Sequence, residues 1–414
     1  MAEFPVSRLR RMFPALHRSG SSVFFDNAAG AQIPQKVFDA INEHLLCRNV
    51  QRGGRYHESQ EVDAEIARAR EVVATFLNAA DPDEVAFGMN ATSFIRLVSL
   101  ALSQKFGDRR EIIVSDLDHE ANIATWMALE QAGAVIRWWK VRGDGNLHFA
   151  DLEPLLSPKT RLVACTVTSN ALGTVIDVAG VAKRAHAAGA EVFLDCVHYA
   201  PHGSIDVQAW GCDYLVCSGY KIFAPHMGFL WGRRAALDVL ATFREDFIPN
   251  VPPFKIEVGT FVYENVAGMR AAIEYLAELA GPANGNEASS SWRKRLVSAM
   301  EAIRDYETTL STALLQGLRS IKGATLYGIQ DPQAAHLRVP TVCFNLKNVS
   351  PATLTTRLAG KGIAVRDGHM YSPRLMKSLG LSPDSGAVRA SLVHYNTQEE
   401  IQLFLKELSE IAGN

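Results

Sequence analysis

Residues 191–232 read EVFLDCVHYAPHGSIDVQAWGCDYLVCSGYKIFAPHMGFLWG, and this stretch decides the fold. It holds three short apolar runs: 191–195 (EVFLD), 214–218 (YLVCS) and 228–232 (GFLWG). None alternates strictly between apolar and polar residues. Strands covered on both faces have this character, whereas strands with one wet face alternate. The first run ends on Asp195, and Lys221 follows the second by three residues.

Upstream, similar runs recur at 162–168 (LVACTVT), 134–139 (AVIRWW) and 111–115 (EIIVS). Most are separated by helix-like segments. One of these, 178–188, stops at Gly189, a favourable C-terminal cap. Earlier still, Val62, Ile66, Ala69, Val73 and Phe76 mark one face of a helix over 59–79. Strands alternating with helices predict βαβ units, hence an α/β fold with a mostly parallel sheet flanked by helices.

Downstream the pattern changes. Segment 281–291 (GPANGNEASSS) reads as an exposed loop. A long helix follows over roughly 292–320, then a strand at 341–346 and a helix near 351–360. Strand-like pieces at 363–366 and 387–391 and a closing helix at about 397–411 complete the chain. The expected division is a large domain over 20–280 and a smaller α+β domain over 1–19 and 292–414. The first residues, MAEFPVSRLRRMFPAL, read as a short surface helix of that smaller domain.

The chain has 414 residues, 48% of them hydrophobic, enough for two packed cores. Its formal charge of −2 argues against a nucleic-acid or membrane-surface protein, since both need excess positive charge. No run approaches the ~20 apolar residues of a membrane span. Glu3 and Pro5 interrupt any signal-peptide pattern at the start. The six cysteines form no C-x-x-C pair, and Cys165, Cys217 and Cys343 fall inside apolar runs. Buried free thiols in a reducing cytoplasm are the expectation.

In open α/β sheets ligands sit beyond the carboxyl ends of the strands. Five polar clusters stand there: Asn90 to Thr92, Asp116 to Asn122, Ser169-Asn170, Asp195 to His198, and Ser218 to Lys221. Asp195 is either a helix cap or the partner of a cation, such as a protonated pyridine nitrogen. Lys221 is either a solvated turn residue or a Schiff-base lysine. Asn90-Ala91-Thr92 opens a helix, where amides bind phosphate or are simply capped. No phosphate-loop or dinucleotide motif is present. His198 and His202 have metal-ligand spacing for a helix, but Pro201 and Gly203 interrupt one. In the triplet Asp118-His119-Glu120, neighbouring side chains do not face the same way, so no metal site is expected.

Taken in order, a set of motifs resembles the class V aminotransferase family of pyridoxal-phosphate (PLP) fold type I enzymes, within it the cysteine desulfurase-like branch. They are FFDNAAGAQIP (24–34), DHEANIATW (118–126), TSNALGT (168–174), DCVHYAPH (195–202), CSGYKIFAPHMG (217–228), EVGT (257–260), VRDGHMY (365–371) and VRASLVHYNT (388–397). The resemblance implies pyridoxal 5′-phosphate as cofactor and Lys221 as the Schiff-base lysine that later moves the α-proton. Asp195 would pair with the ring nitrogen, and His198 would touch the ring hydroxyl. Ala91, Thr92, Ser218 and Tyr220 would cradle the phosphate. Thr260 would reach the phosphate of a neighbouring subunit, implying a homodimer with composite sites. Arg389 would hold the substrate carboxylate, with Asn170 and Ala29 beside it.

Two departures stand out. Where the desulfurases carry the persulfide cysteine after G-H-H, this chain has Gly368-His369-Met370-Tyr371. Tyr371 cannot take sulfur as a thiolate does. Glu120 stands where the family places the histidine that stacks on the ring, making it a candidate acid, base or cation contact. With His369 and Tyr371, residues Arg52, Arg55, Tyr56 and Arg374 would make the side-chain pocket polar and basic. That suggests a substrate with a second acidic group. The expected reaction is β-elimination by a lyase without persulfide relay. Transamination, epimerisation and a silent scaffold are the alternatives.

Overall fold

The computed structural model describes residues 4–17, 23–104, 106–280 and 291–413. Except for Ser291, the expected loop at 281–291 lies outside the described residues. The largest sheet has seven strands. In spatial order they are Val85–Gly88, Gly228–Gly232, Tyr214–Ser218, Glu191–Asp195, Thr160–Thr166, Glu111–Ser115 and Val135–Trp139. All run parallel except Gly228–Gly232, which is antiparallel to both neighbours. Only residues 219–227 connect it to the preceding strand, too few for the crossover that parallel pairing requires.

Helices cover both faces. One core packs His57–Leu77, Val178–Ala187 and Tyr263–Glu278 against the sheet; the other packs Ala91–Ser103 and Ala121–Met127. The five expected helix-face residues from Val62 to Phe76 are all buried. The run at 134–139 behaves differently from the expectation of a doubly covered strand. It is the sheet edge, and Val135 is exposed while Trp139 is buried. Ile136 and Trp138 pack on the second core while Val135 and Arg137 face water, so over most of its length only one face of this strand is covered.

A four-stranded antiparallel sheet forms a third core, in the order Arg366–Gly368, Ala387–Ser391, Thr341–Leu346, Ala324–Tyr327. Helices Trp292–Ser320, Pro351–Gly360 and Gln398–Ala412 pack on it. Ser291 caps the first of these helices through Lys294 N. Thr397 and Glu400 form a reciprocal capping box on the last, an arrangement worth about 1 kcal/mol.

The N-terminal segment packs against both parts of the chain. Phe4 stacks on Tyr306 and Arg10 pairs with Glu400, while Leu9, Phe13 and Leu16 reach the core of the large sheet. Val23 and Phe25 join the third core, because Val23–Phe24 pairs in parallel with Ile363–Ala364. Asp26 directly follows Phe25 of this third core.

Candidate active site

The carboxyl ends of five parallel strands meet at one cavity. Ala91, Thr92, Asn170, Asp195, His198, Ser218, Tyr220 and Lys221 line it together. Ile95, His119, Ala121, Thr166, Thr168 and Val197 complete the wall. Lys221 ends a short turn, Gly219–Lys221, that follows strand Tyr214–Ser218 directly.

Helix Ala91–Ser103 points its N-terminus into this cavity. Asn90 Oδ1 accepts from Ser93 N at 2.9 Å, and Asn90 N donates to Ser93 Oγ at 3.3 Å. Ala91 N donates to Ser218 Oγ at 3.1 Å, tying the helix start to the lysine turn. The approach depends on Gly228, where an added Cβ would meet the Asn90 backbone at 2.7 Å. The positive end of a helix with the hydroxyls of Thr92 and Ser218 beside it suits an anion.

Lys221 is buried, and burial and then Arg389 pull its amine down to about 8, with Asp195 opposing. Asp195 is raised by burial, against which Val197 N, 3.0 Å from Oδ1, holds the charged form. His198 Nε2 lies 3.0 Å from Thr341 Oγ1, while its Nδ1 is buried with no hydrogen-bond partner among the described residues. Burial first, then Lys221, His202 and Arg389, keeps His198 neutral.

The adjoining cavity, of about 320 Å³, is lined by Ala28, Ala29, His119, Asn170, Tyr220, Lys221, His226, Arg366, Tyr371 and Arg389. Arg389 and Arg366 stand directly opposite each other on antiparallel strands. Like charges in that position repel, and an anion must lie between them. Asp26 supplies it. It accepts from Arg389 Nη2 at 3.1 Å and from Arg366 Nη2 at 2.8 Å and Nε at 3.1 Å. Arg389 Nη1 donates to the Asn170 carbonyl at 2.9 Å, and its Nε is buried without a partner among the described residues. That unfilled donor suits a carboxylate from outside the protein.

Tyr371 stands at the mouth of this cavity, its ring 5.6 Å from His119. Met370 and Tyr371 both adopt positive φ, 51° and 60°, a conformation that non-glycine residues hold only when their surroundings fix it. Asn170 Nδ2 donates to the Met370 carbonyl at 2.7 Å, and Glu120 N donates to the Tyr371 carbonyl at 2.8 Å. The loop is clamped from both sides.

Two expected site residues, Glu120 and His369, lie elsewhere, and Thr260 is expected at a neighbouring subunit's site rather than at this one. Glu120 turns away to Arg374, 3.3 Å from its Nη2, and it is His119 that enters the cavity. Asp118 sets this arrangement through Ser115 and Asn122, and Ala121 N donates to His119 Nδ1 at 3.1 Å. Burial, then Lys221 and Arg389, lowers His119 to about 4, so it is a neutral imidazole. His369 is exposed, and its Nδ1 accepts from Tyr371 N at 3.0 Å. Thr260 is exposed and accepts from Gln51 Nε2 at 2.7 Å. The expected basic pocket is not assembled within the chain either. Arg52 pairs with Asp63 and Arg374 with Glu120, and of those six residues only Tyr371 lines the cavity.

Asp26, Arg366, His119 and His226 are the candidates at the two cavities that sequence reasoning did not single out. Asp26 carried a readable signal, a carboxylate directly after the apolar run VFF. Arg366 carried none, since its facing of Arg389 depends on strand pairing.

The residues present fit PLP. The helix start with Ser218 and Thr92 suits a phosphate, Asp195 suits a protonated ring nitrogen, and the unpartnered His198 Nδ1 suits a ring oxygen. Lys221 supplies an amine near neutrality.

The aminotransferase class-V family profile matches residues 23–404. An aminotransferase-like protein, FGM3, of Gibberella zeae is 34% identical over 421 residues, covering 99% of each chain. A probable cysteine desulfurase of Synechocystis is 34% identical, covering 97% of this chain and 94% of its own. The apo structure of a cysteine desulfurase from Thermococcus onnurineus superposes with a TM-score of 0.87 at 25% identity, covering 100% of this chain and 99% of that one.

Proposed function

The chain belongs to the class V aminotransferase family, whose enzymes depend on pyridoxal 5′-phosphate, and on that premise we propose that it is a β-eliminating carbon–sulfur lyase working without persulfide storage. The observation that carries this reading is Tyr371. A phenol stands at the cavity mouth where a relay would need a thiol, on a loop clamped to Asn170 and to Glu120. The other thiols are poor substitutes. Cys196, next to Asp195, is fully buried, and burial pushes its thiol far above the ordinary range. Cys343 is buried and pushed up to about 12. The exposed Cys47 lines neither cavity.

When bound, PLP supplies an electron sink for the pair left at the α-carbon. The chain supplies the rest. Ala91, Thr92, Ser218 and Tyr220 hold the phosphate, and Asp195 keeps the ring nitrogen protonated. Lys221, with its lowered proton affinity, has a substantial neutral fraction near pH 8 and takes the α-proton. Arg389 receives the substrate carboxylate, and Asp26 keeps the guanidinium aimed. Asn170 and Ala29 bound the same space, and neutral His119 forms a wall. Glu120 works through the backbone, holding the Tyr371 loop, rather than as an acid.

The same reading includes a homodimer in the cytoplasm. A cleft of about 830 Å³ beside Ser218 and Tyr220 is rimmed by the exposed apolar residues Met89, Leu100 and Val258. Thr260 lies two residues beyond Val258, suited to a partner's phosphate site. Six unpaired thiols fit a reducing compartment, and no described helix is long and apolar enough to cross a membrane.

The test is a product assay on the holoenzyme with L-cysteine and other amino acids. Pyruvate, ammonia and sulfide in equal amounts are expected from cysteine. Alanine with protein-bound sulfur would overturn the proposal. A keto acid that keeps its side chain would mark an aminotransferase, a changed configuration an epimerase, and inertness with bound cofactor a scaffold.

A further inference from the structure

Tyr371 is held more firmly than its exposure calls for. Its side chain is 56% exposed, and its hydroxyl has no hydrogen-bond partner among the described residues. Yet its backbone and that of Met370 are kept at positive φ. Besides the bonds from Asn170 and Glu120, Ser372 Oγ donates to Asn170 Oδ1 at 3.1 Å, and Ser378 Oγ donates to Asp116 Oδ2 at 2.7 Å. Backbone held against its own preference gathers where the position of a side chain matters. What is positioned here is an unpaired phenol on the wall of the substrate cavity, its ring tilted 34° to that of His119.

A substrate with its carboxylate on Arg389 and its α-carbon at Lys221 has to run its side chain along the other walls of that cavity. A sulfur that leaves there as an anion is helped by a proton donor. Few walls offer one. Burial pushes Tyr220 up to about 12, which makes it a poor donor. His119 is neutral and accepts from Ala121 N, and a neutral imidazole gives up its one remaining ring proton with difficulty. The guanidiniums of Arg366 and Arg389 keep their protons. Lys221 is committed to the α-proton. His226 stacks on Tyr220, with centroids 5.3 Å apart and planes at 13°, and lines the neighbouring cleft as well. Tyr371 borders the substrate cavity and not that cleft.

We propose that Tyr371 is a second catalytic residue, the general acid that gives its phenolic proton to the sulfur leaving the β-carbon. The proposal rests on the lyase reading and adds the fate of the leaving group to it. Lys221 Nζ takes the α-proton. The freed electron pair becomes the second Cα–Cβ bond, and the Cβ–S bond breaks with its electrons on sulfur. The phenolic O–H breaks as the S–H bond forms, and water at the open mouth returns a proton to the phenolate. Nothing is oxidised or reduced. A thiol at this place would keep the sulfur, whereas a phenol sends it away protonated.

The experiment compares pyruvate release by wild-type holoenzyme and Tyr371→Phe from two probes, L-cysteine and β-chloro-L-alanine. Chloride is the anion of a strong acid and leaves without a proton. The phenylalanine ring preserves the contact with His119, and the lost hydroxyl has no partner in the fold. On L-cysteine, kcat/KM is expected to fall on the order of 10²-fold in Tyr371→Phe, the lower end of general-acid effects. On β-chloro-L-alanine it is expected to stay near wild type. L-alanine, which has no leaving group, should shift the visible absorption with the same dissociation constant in both proteins. A variant slowed equally on both probes, or not slowed on cysteine, would overturn the proposal. So would His226→Asn showing the cysteine-selective loss in place of Tyr371→Phe. Wild type that releases no pyruvate from cysteine sinks the carbon–sulfur lyase reading and the acid with it, which separates that failure from a failure of Tyr371 alone.

Discussion

At the scale of single residues, the site is organised by charges that burial makes expensive. Lys221 has the clearest consequence. Its ordinary value of 10.5 falls to about 8 in the fold. Below pH 8 the folded and unfolded chains both carry the proton, and the folded one bears the full cost of a buried ammonium. Between about 8 and 10.5 the unfolded chain binds more protons, so stability rises with pH, and above that window the cost is gone. Cofactor-free Lys221→Met is therefore expected to be more stable than wild type by about 2–3 kcal/mol at pH 7. The gap should close toward pH 10.5, as denaturant melts at the two pH values would measure. Lys221 and Asp195 were legible in the sequence because Asp195 ends one buried apolar run and Lys221 follows another by three residues. His119 was not, because the choice between it and Glu120 depends on how the turn before Ala121 is anchored by Asp118. The Asp26 bridge was hidden for a related reason, since no local pattern reports that Arg366 and Arg389 face each other.

Among elements, helix Ala91–Ser103 and strand Gly228–Gly232 form the tightest joint. Gly228 lets the strand pass against the helix start, and a methyl group there would meet the Asn90 backbone at 2.7 Å. Backbone cannot yield as a flexible side chain does. Gly228→Ala is expected to destabilise the fold by about 1–3 kcal/mol, as overpacking does. It should also weaken cofactor binding at least several-fold, because the displaced amides belong to the anion site. Equilibrium dialysis against PLP would measure the second effect separately from the first. Most elements could be read from the chain alone. Helix Trp292–Ser320 matches the expected 292–320 because its apolar spacing persists and Ser291 caps it. The strand at Val135 was misjudged because exposure at a sheet edge depends on how many strands the sheet has. The fixed loop at Met370-Tyr371 was beyond reach too, since two successive positive φ values contradict local preference and exist through tertiary bonds.

For the whole molecule, the apolar rim is the feature to explain. Val258, Met89 and Leu100 are 72%, 73% and 62% exposed around one cleft. Exposed apolar patches of this kind mark contact surfaces. In the proposed dimer, Val258→Glu is expected to shift the protein to monomer in sedimentation velocity and to lower PLP affinity with it. A variant that stays dimeric with unchanged affinity would place the partner elsewhere. The bridge between Asp26 and Arg389 has a consequence of another kind. It joins residues 363 positions apart. A ribosome must therefore deliver everything from residue 26 to residue 389 before this bridge can close, although every strand of the large sheet has already emerged by residue 232. A nascent chain stalled before Arg389 would own the floor of the cavity while Asp26 waited for its second guanidinium, so the two walls of the cavity are joined long after its floor is made.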